Sequence, residues 1–332
     1  MVVVVTGASG NIGSATLREL ATGGAYDVRA LARRRPDATD GAAGTVEWAA
    51  ADVGTDDLVP LLEGAEAVVH LAWRFQPTHR PEMTWHSNVV GTRRVLGACG
   101  RAGVPVVVAA SSLAAYSPVD HDDPVDESWP TDGASGAAYC REKAYVERLL
   151  DDFEAEHPDT RVVRLRPAFV FQRSAASEQR RLFGGPLARP GLFDVRRIPV
   201  LPVPAGLRMQ AVHTGDVGRA VRAAVERPVR GAFNLAGDGL LRRAELGELV
   251  GARTVEVPNG LVRAGLDLGW RVRALPVPGS LFDALRHVPV LSTARASREL
   301  DWHPSHDAAD AVGQMLDGAR LRGGSDMPPL HR

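Results

Sequence analysis

The sequence predicts an α/β protein with a doubly wound parallel sheet and a smaller, discontinuous C-terminal domain that binds the substrate. Two observations carry this prediction. The chain opens with four consecutive valines at residues 2–5, and a glycine-rich turn follows them at once. Up to about residue 170, short apolar runs then alternate with helical patterns, as in a parallel sheet whose strands are buried on both faces.

The opening segment predicts a strand, a tight turn and a helix over residues 14–23. Gly7, Gly10 and Gly13 lie three residues apart, so the backbone can turn sharply and approach a ligand closely. The start of the helix presents unpaired N–H groups and a positive dipole end, which suit a pyrophosphate. We therefore expect a dinucleotide along this loop. Its predicted contacts are Gly7, Ser9, Gly10, Asn11, Ile12 and Gly13.

Five further apolar runs predict the other strands of the N-terminal sheet, over residues 28–31, 46–49, 67–71, 104–110 and 162–165. Helices are predicted between them, over residues 55–62, 82–102 and 137–157. This alternation of strands and helices predicts a Rossmann-type sheet.

The pattern changes after residue 171. Residues 172–206 are rich in Arg, Pro and Gly and have weak periodicity, which predicts loops and short helices. A helix over 211–227 and a strand over 232–236 return to the sheet, and residues 242–251 and 259–290 are mainly helical. We expect three parts: a Rossmann domain over residues 1–171 and about 207–237, a substrate-binding domain over about 172–206 and 238–322, and a tail over 323–332.

The composition bounds the function classes. The 332 residues are 45% hydrophobic and 24% charged, with a net charge of −1, so no broad attraction to nucleic acid or an anionic membrane is expected. Two cysteines, Cys99 and Cys140, are too few for a disulfide framework and suit the cytoplasm. No segment has the length of a membrane span. Among the histidines, neither the pair His79 and His86 nor the pair His303 and His306 has a clear ligand set around it, so no metal site is predicted.

A tyrosine and a lysine are placed for acid–base chemistry. Tyr139 and Lys143 are four residues apart on a predicted helix, so they lie on one face, one turn from each other. A phenol with a pKa near 10 is a poor acid–base group at neutral pH. A nearby ammonium lowers that pKa, which makes Tyr139 usable for proton transfer to or from an alcohol oxygen.

Two serines end the fifth predicted strand. Ser111 and Ser112 directly follow the run over 104–110, which places their hydroxyls at the carboxyl edge of a parallel sheet, where ligands of such sheets bind. A serine there can hydrogen-bond a substrate carbonyl or alcohol and hold it against Tyr139.

Taken together, these motifs and their order resemble the extended short-chain dehydrogenases/reductases, the NAD(P)-dependent epimerase/dehydratase family, over nearly the whole chain. The segments that carry the resemblance are residues 6–13, 52–53, 70–72, 88–92, 111–112, 139–143, 166–167, 212–217 and 299–304.

The resemblance implies roles for individual residues. Ser112, Tyr139 and Lys143 would be the catalytic residues, with Lys143 also on the nicotinamide ribose. Asn88 would support the proton path of Lys143, or it is a structural helix residue. A homodimer built from the Asn88 and Tyr139 helices is also implied. The cofactor contacts implied beyond the glycine loop are Asp52, Val53, Leu71, Ala72, Asn88, Tyr139, Lys143 and Pro167.

The end of the second strand bears on the choice of cofactor. NAD-preferring domains place an acidic residue there for the adenosine ribose, but this chain has Ala32 followed by Arg33, Arg34 and Arg35. Guanidinium groups can bind a 2′-phosphate. We therefore predict NADP, with NAD less favoured and Arg33 as a contact.

The substrate is inferred mainly from residues that the chain lacks. Leu113 and Ala114 follow Ser112 where sugar-nucleotide dehydratases need an acid and a base, so a dehydratase is disfavoured. No asparagine follows Arg166-Pro167, and Arg208 is about one residue from the position that nucleotide-sugar epimerases use. Aromatic residues fall in segments expected near the site: Trp73, Phe75, Trp85, Trp129, Phe169, Phe171, Phe183 and Phe193.

We therefore predict a carbonyl reductase or alcohol dehydrogenase acting on a fairly hydrophobic small molecule, with Trp73, Phe75, Ser112 and Phe169 at the substrate. A nucleotide-sugar epimerase remains open, because several arginines could still bind a diphosphate. A non-catalytic NADP-binding redox sensor is the other alternative. The arginines available to a diphosphate are Arg180, Arg181, Arg189, Arg196 and Arg197.

Overall fold

The computed structural model describes residues 1–22, 24–36, 46–75, 78–184, 199–321, 324–325 and 327–330. It confirms the predicted α/β class, because a seven-stranded parallel sheet forms the centre of the molecule. The strands are β1 (Val2–Thr6), β2 (Asp27–Ala32), β3 (Val46–Ala50), β4 (Ala67–His70), β5 (Val106–Ala110), β6 (Arg161–Pro167), β7 (Phe169–Phe171), β8 (Val200–Pro204), β9 (Ala211–His213), β10 (Gly231–Leu235) and β11 (Arg253–Val257).

Helices cover the sheet and build most of the C-terminal part. None of those described is both long and apolar enough to cross a membrane. They are α1 (Asn11–Ala21), α2 (Val59–Leu62), α3 (Pro81–Trp85), α4 (Gly91–Ala102), α5 (Ala138–Glu156), α6 (Ala176–Gly184), α7 (Thr214–Glu226), α8 (Arg243–Val250), α9 (Asn259–Arg271), α10 (Gly279–Arg286), α11 (Ala294–Leu300) and α12 (Ala308–Arg320).

The valine run forms the central strand because both faces of the sheet are covered. Val3 and Val5 point to one face, where they pack in a core with residues of α1 and α7. Val4 points to the other face and packs in a core with residues of α4 and α5. All three side chains are fully buried, which is why the run is continuous and not alternating.

The strand order places the ligand site. The seven strands follow the order β10-β6-β5-β4-β1-β2-β3, so the direction of winding reverses between β1 and β4. In open parallel sheets the ligand crevice lies beyond the carboxyl ends of the strands at such a reversal. The glycine-rich turn follows β1 and therefore lies at this crevice.

One predicted helix begins later than expected. The sequence pattern predicts a helix from residue 211, but residues 211–213 form β9, which pairs in parallel with β7. His213 has an extended backbone, and its Nδ1 accepts a hydrogen bond of 3.2 Å from the Gly215 N–H as the cap of α7. The helix can therefore begin only at Thr214.

A second parallel pair was also not predicted. Strand β8 lies in the segment expected to hold only loops and short helices, and it pairs with β11. Neither strand has a strong apolar alternation, so the pairing depends on a partner about 50 residues away.

A buried carboxylate joins α5 to the sheet. Glu147 on α5 is fully buried and accepts two hydrogen bonds of 2.9 Å from Arg166 of β6. It also accepts from Ser111 Oγ at 2.5 Å and from Arg164 Nη1 at 3.2 Å. Arg166 continues the network to the Tyr116 hydroxyl at 2.9 Å. These cations and hydrogen bonds outweigh burial and lower the pKa of Glu147 to about 2.

We predict that Glu147→Ala lowers the free energy of unfolding by about 3–5 kcal/mol, because it leaves Arg166 buried without its counter-charge. Urea denaturation at pH 7 measures this loss, with the exposed Glu156→Ala on the same helix as the control. The pKa of Glu147 lies below its ordinary value of 4.5, so its contribution is complete above pH 4.5. As the pH falls from 4.5 towards 2, the difference between wild type and variant should shrink. A loss below 1 kcal/mol at pH 7 would contradict this account.

Candidate active site

A continuous cleft crosses the carboxyl ends of β1, β2 and β4. Its wider end is a cavity of about 640 Å³ beside the glycine-rich loop, and its deeper end is a cavity of about 240 Å³ around Ser112 and Tyr139. Both cavities share a wall of Gly7, Gly10, Leu71, Trp73 and Phe75. Every predicted cofactor residue except Asn88 lines one cavity or the other: Gly7, Ser9, Gly10, Asn11, Ile12, Gly13, Arg33, Asp52, Val53, Leu71, Ala72, Tyr139, Lys143 and Pro167.

The glycine-rich loop fits a dinucleotide. Gly7 has a φ of +69°, and a Cβ there would lie 2.6 Å from the Ala72 backbone nitrogen. A Cβ on Gly13 would lie 2.3 Å from the Gly7 carbonyl oxygen. Helix α1 begins after Gly10, where no side chain caps it. Its first N–H groups therefore lack intrahelical partners and can receive phosphate oxygens.

The Asn11 side chain is hydrogen-bonded to other parts of the chain. Its Oδ1 accepts hydrogen bonds from Gln172 Nε2 at 2.7 Å and from Thr214 Oγ1 at 3.1 Å. Asn11 therefore joins the start of α1 to α7 and to the segment after β7, and it leaves the loop backbone to contact a ligand.

Ser112 and Tyr139 meet at the deeper end of the cleft. The Tyr139 hydroxyl donates to Ser112 Oγ at 3.1 Å, and Ser112 Oγ also accepts from the Ala114 N–H at 3.1 Å. Ser111 is turned the other way and donates to Glu147. The geometry thus brings Ser112, and not Ser111, next to the Tyr139 hydroxyl.

The ionisation of Tyr139 differs from the expectation. Burial raises its pKa above the ordinary value of 10, and the hydrogen bond with Ser112 opposes this only in part. The expectation that Lys143 lowers this pKa is therefore wrong, because the effect of burial dominates. Tyr139 is protonated, which suits a proton donor.

Lys143 lies one turn from Tyr139 and titrates near neutral pH. It is buried, and its Nζ donates to the Ala110 carbonyl at 2.8 Å. Burial lowers its pKa to about 7, against the opposing effect of Glu147 and Glu142. The Trp73 ring covers it, with 3.5 Å from Nζ to the ring centroid. The ammonium is therefore held between a carbonyl and an aromatic face.

The composition carries a signal for this residue that the motif analysis did not use. Lysine and arginine together number 39, but Lys143 is the only lysine in the chain. An ammonium changes its charge readily when it is buried, whereas a guanidinium stays charged. The only lysine of the chain is thus buried beside Tyr139, where its ammonium can lose its charge.

The deeper cavity is mainly apolar around the two hydroxyls. Phe75 and Trp73 contact the Tyr139 ring edge-on, with centroid separations of 4.6 and 6.0 Å. Trp73, Phe75, Ser112 and Phe169, the predicted substrate residues, all line this cavity. Further apolar residues complete its wall: Leu113, Ala168, Phe171, Leu182 and Leu285.

The Asn88 side chain is bonded to Glu142 and to the backbone of Arg74. Its amide donates to Glu142 Oε2 at 2.7 Å and to the Arg74 carbonyl at 3.1 Å, and its Oδ1 accepts from the Arg74 N–H at 2.7 Å. It lies in a short π-helix, His86–Val90, between α3 and α4. Asn88 thus holds the loop after β4 and makes no side-chain hydrogen bond to Lys143 among the described residues.

Several other predicted residues lie away from the cleft. Trp85 is 40% exposed and contacts Tyr145, and the Trp129 indole donates to the Ser117 carbonyl. Arg208 donates to the carbonyls of Val119, His121 and Val288 and pairs with Asp122, so it is engaged in structure. Phe193, Arg189, Arg196, Arg197 and the side chains of Arg181 and Phe183 lie outside the described residues.

The structure brings together one group that the sequence analysis missed. His213, Asp216 and His306 place a potential ligand atom each within 4.8 Å of one another. Asp216 already pairs with Arg219 and accepts from Ser305 Oγ at 2.7 Å. The carboxylate thus fixes α7 to the segment before α12.

Several known proteins are similar to this chain in sequence. Residues 3–236 match a family model described as the NAD dependent epimerase/dehydratase family. A putative dihydroflavonol 4-reductase of Synechocystis sp. is 32% identical over 43% of this chain, and the match covers 42% of that relative. A UDP-glucose 4-epimerase of Azospirillum brasilense is 28% identical over a match that covers 93% of this chain and 89% of that relative.

Solved structures share the fold. A UDP-glucose-4-epimerase from Stenotrophomonas maltophila, with bound NAD and formylated UDP-arabinopyranose, superposes with a TM-score of 0.73. The two sequences are 24% identical, and the match covers 97% of this chain and 98% of the chain in that structure.

We predict that Lys143 titrates with a midpoint near pH 7 in the folded protein, because burial disfavours its charged form. Protein labelled with [6-¹³C]lysine should give a single lysine NMR signal, which reports this pKa directly. The urea-unfolded protein is the control and should titrate near the ordinary value of 10.5. A folded-state midpoint above pH 9.5 would refute the assignment.

Proposed function

This chain belongs to the NAD dependent epimerase/dehydratase family, and we propose that it is an NADP-dependent carbonyl reductase, or the reverse alcohol dehydrogenase, for a fairly hydrophobic small molecule. The observation that carries the proposal is the hydrogen bond between Tyr139 and Ser112 at the apolar end of the dinucleotide cleft.

The proposed chemistry follows from these two hydroxyls. When bound, the cofactor supplies the hydride. A carbonyl oxygen placed between Ser112 Oγ and Tyr139 Oη accepts hydrogen bonds from both as its negative charge develops. Tyr139, kept protonated by its raised pKa, then donates the proton. The ammonium of Lys143, whose pKa is about 7, stabilises the phenolate that remains.

The apolar lining supports a hydrophobic substrate. Leu113, Phe169 and Leu285 line the same cavity as Ser112 and Tyr139, and burying apolar surface of a ligand there contributes about 25 cal/mol per Å². Arg208 is the arginine nearest in sequence to the position that an epimerase would use for a diphosphate. Its guanidinium already donates to backbone carbonyls.

The proposal of NADP rests on the wider end of the cleft. Ala32, Arg33 and Arg34 line it at the end of β2, and both guanidinium-bearing side chains are exposed. Exposed guanidinium groups at this position can bind a 2′-phosphate, although the solved relative described above holds NAD.

A nucleotide-sugar epimerase is the second candidate. It is favoured by the Azospirillum relative, which matches this chain over 93% of its length. Incubation with UDP-glucose followed by analysis for UDP-galactose separates the two candidates. Binding of NADPH without turnover of any carbonyl compound or UDP-sugar would favour the redox sensor.

We predict that Tyr139→Phe lowers kcat for ketone reduction on the order of 10²–10⁴-fold, because the proton donor is lost. The Kd for NADPH, measured by fluorescence titration, should stay within about twofold, since the ring remains in place. Tyr145→Phe, on an exposed part of the same helix, serves as the control. Near-normal turnover by Tyr139→Phe would refute the proposed mechanism.

We predict that the wild type binds NADPH more tightly than NADH and that Arg33→Ala weakens NADPH binding about tenfold. NADH affinity should not change, because NADH has no 2′-phosphate. Arg35→Ala is the matched control, since Arg35 is exposed but does not line the cleft. Equal affinities of the wild type for both cofactors would disprove the preference.

A further inference from the structure

A second chamber adjoins the deeper end of the cleft at Tyr139. It has a volume of about 250 Å³ and lies between the loop after β4, the start of α5 and the helices α9 and α10. Phe75 and Tyr139 line both this chamber and the deeper end of the cleft, so the two spaces are adjacent. Its lining includes Arg74, Phe75, Thr84, Arg141, Glu142 and Trp270.

The chamber is bounded by a contact between the two parts of the chain. The His79 ring stacks on Trp270 of α9, with 3.8 Å between centroids and 18° between planes. This contact holds the segment after β4 against the C-terminal helices. A molecule in the chamber therefore touches both parts of the protein.

Arg74 is held at the junction of the chamber and the cofactor cleft, and it lines both. Both polar groups of its backbone are bonded to the Asn88 side chain, at 2.7 and 3.1 Å. Asn88 is fully buried and is itself bonded to Glu142. The backbone of Arg74 is thus fixed by a buried amide.

The guanidinium of Arg74 has no hydrogen-bond or ion-pair partner among the described residues, and Arg74 is only partly exposed. The carboxylate of Glu142 is engaged elsewhere, because it accepts from Thr84 Oγ1 at 2.6 Å and from Asn88. Arg141 donates to the Ser135 carbonyl at 2.5 Å. Arg141 uses one guanidinium nitrogen for this bond and is exposed, so Arg74 is the partly buried cation of the chamber lining whose guanidinium has no partner among the described residues.

We propose that this chamber binds the part of the substrate distant from the carbonyl, and that Arg74 binds an acidic group there, a carboxylate or a phosphate. The substrate class is then a ketone or aldehyde with an apolar body and an acidic end. This inference rests on the proposed reductase function. It deepens that function by assigning a specificity-determining residue.

An anion of the cofactor is the other source of the same chemistry. The glycine-rich loop and the start of α1 already provide N–H groups for the pyrophosphate, and Arg33 and Arg34 line the adenosine end. Arg74 alone of these cations also faces the chamber. The substrate is therefore the source that we propose.

The test compares acids with their esters. Isothermal titration calorimetry measures binding of keto acids such as 4-acetylbenzoate, each beside its methyl ester, to the NADP⁺-loaded protein. We expect the wild type to prefer the acids and Arg74→Gln to weaken acid binding about tenfold to a hundredfold. Ester binding should not change, and Arg74→Lys should restore part of the preference. Arg80→Gln, exposed and outside the chamber, should behave as the wild type.

Two results would overturn the inference. One is that the wild type binds the acids no more tightly than their esters, or that Arg74→Gln keeps the full preference for the acids. The other is a weakened affinity of Arg74→Gln for NADP⁺ with the acid preference intact, which would assign Arg74 to the cofactor. Because binding is measured without turnover, acids that bind through Arg74 but are never reduced would contradict the reductase proposal and leave this inference standing.

Discussion

The buried carboxylate of Glu147 is the interaction on which the geometry of the site depends. It joins α5 to the end of β5 through Ser111 and to β6 through Arg166. Tyr139, Lys143 and Glu147 are four residues apart, so they share one face of α5. Fixing Glu147 against the sheet therefore also fixes the phenol and the ammonium. Because adjacent side chains of an extended chain point in opposite directions, binding Ser111 to Glu147 turns Ser112 towards Tyr139.

The same burial determines the charges of the site. It raises the pKa of Tyr139 and lowers that of Lys143 to about 7, because a site with little water disfavours every unpaired charge. Glu147 remains ionised only because Arg166 and Arg164 face it. The site thus holds a neutral phenol beside an amine that titrates near neutral pH, an arrangement suited to donating a proton to a developing alkoxide.

Much of the fold and of the candidate site could be predicted from the sequence. The predictable features are those that depend on residues close together in the chain. The valine run, the glycine spacing and the four-residue spacing of Tyr139 and Lys143 each act within one element. The missed features depend on partners far away in the chain. Strand β9 exists because it pairs with β7, and Arg208 is engaged by a carbonyl 87 residues away. The ionisation of Tyr139 was misjudged because burial, which no local motif reports, outweighs the neighbouring lysine.

The most direct test of the central claim follows hydride from cofactor to product. Two samples of NADPH are used, each carrying deuterium on one face of the nicotinamide C4. The protein is incubated with each of them and with either a panel of hydrophobic ketones or UDP-glucose. We expect deuterium on the new carbinol carbon of an alcohol product, with one cofactor oxidised per alcohol formed. Conversion of UDP-glucose to UDP-galactose without net oxidation of the cofactor, and no labelled alcohol from any ketone, would contradict the account.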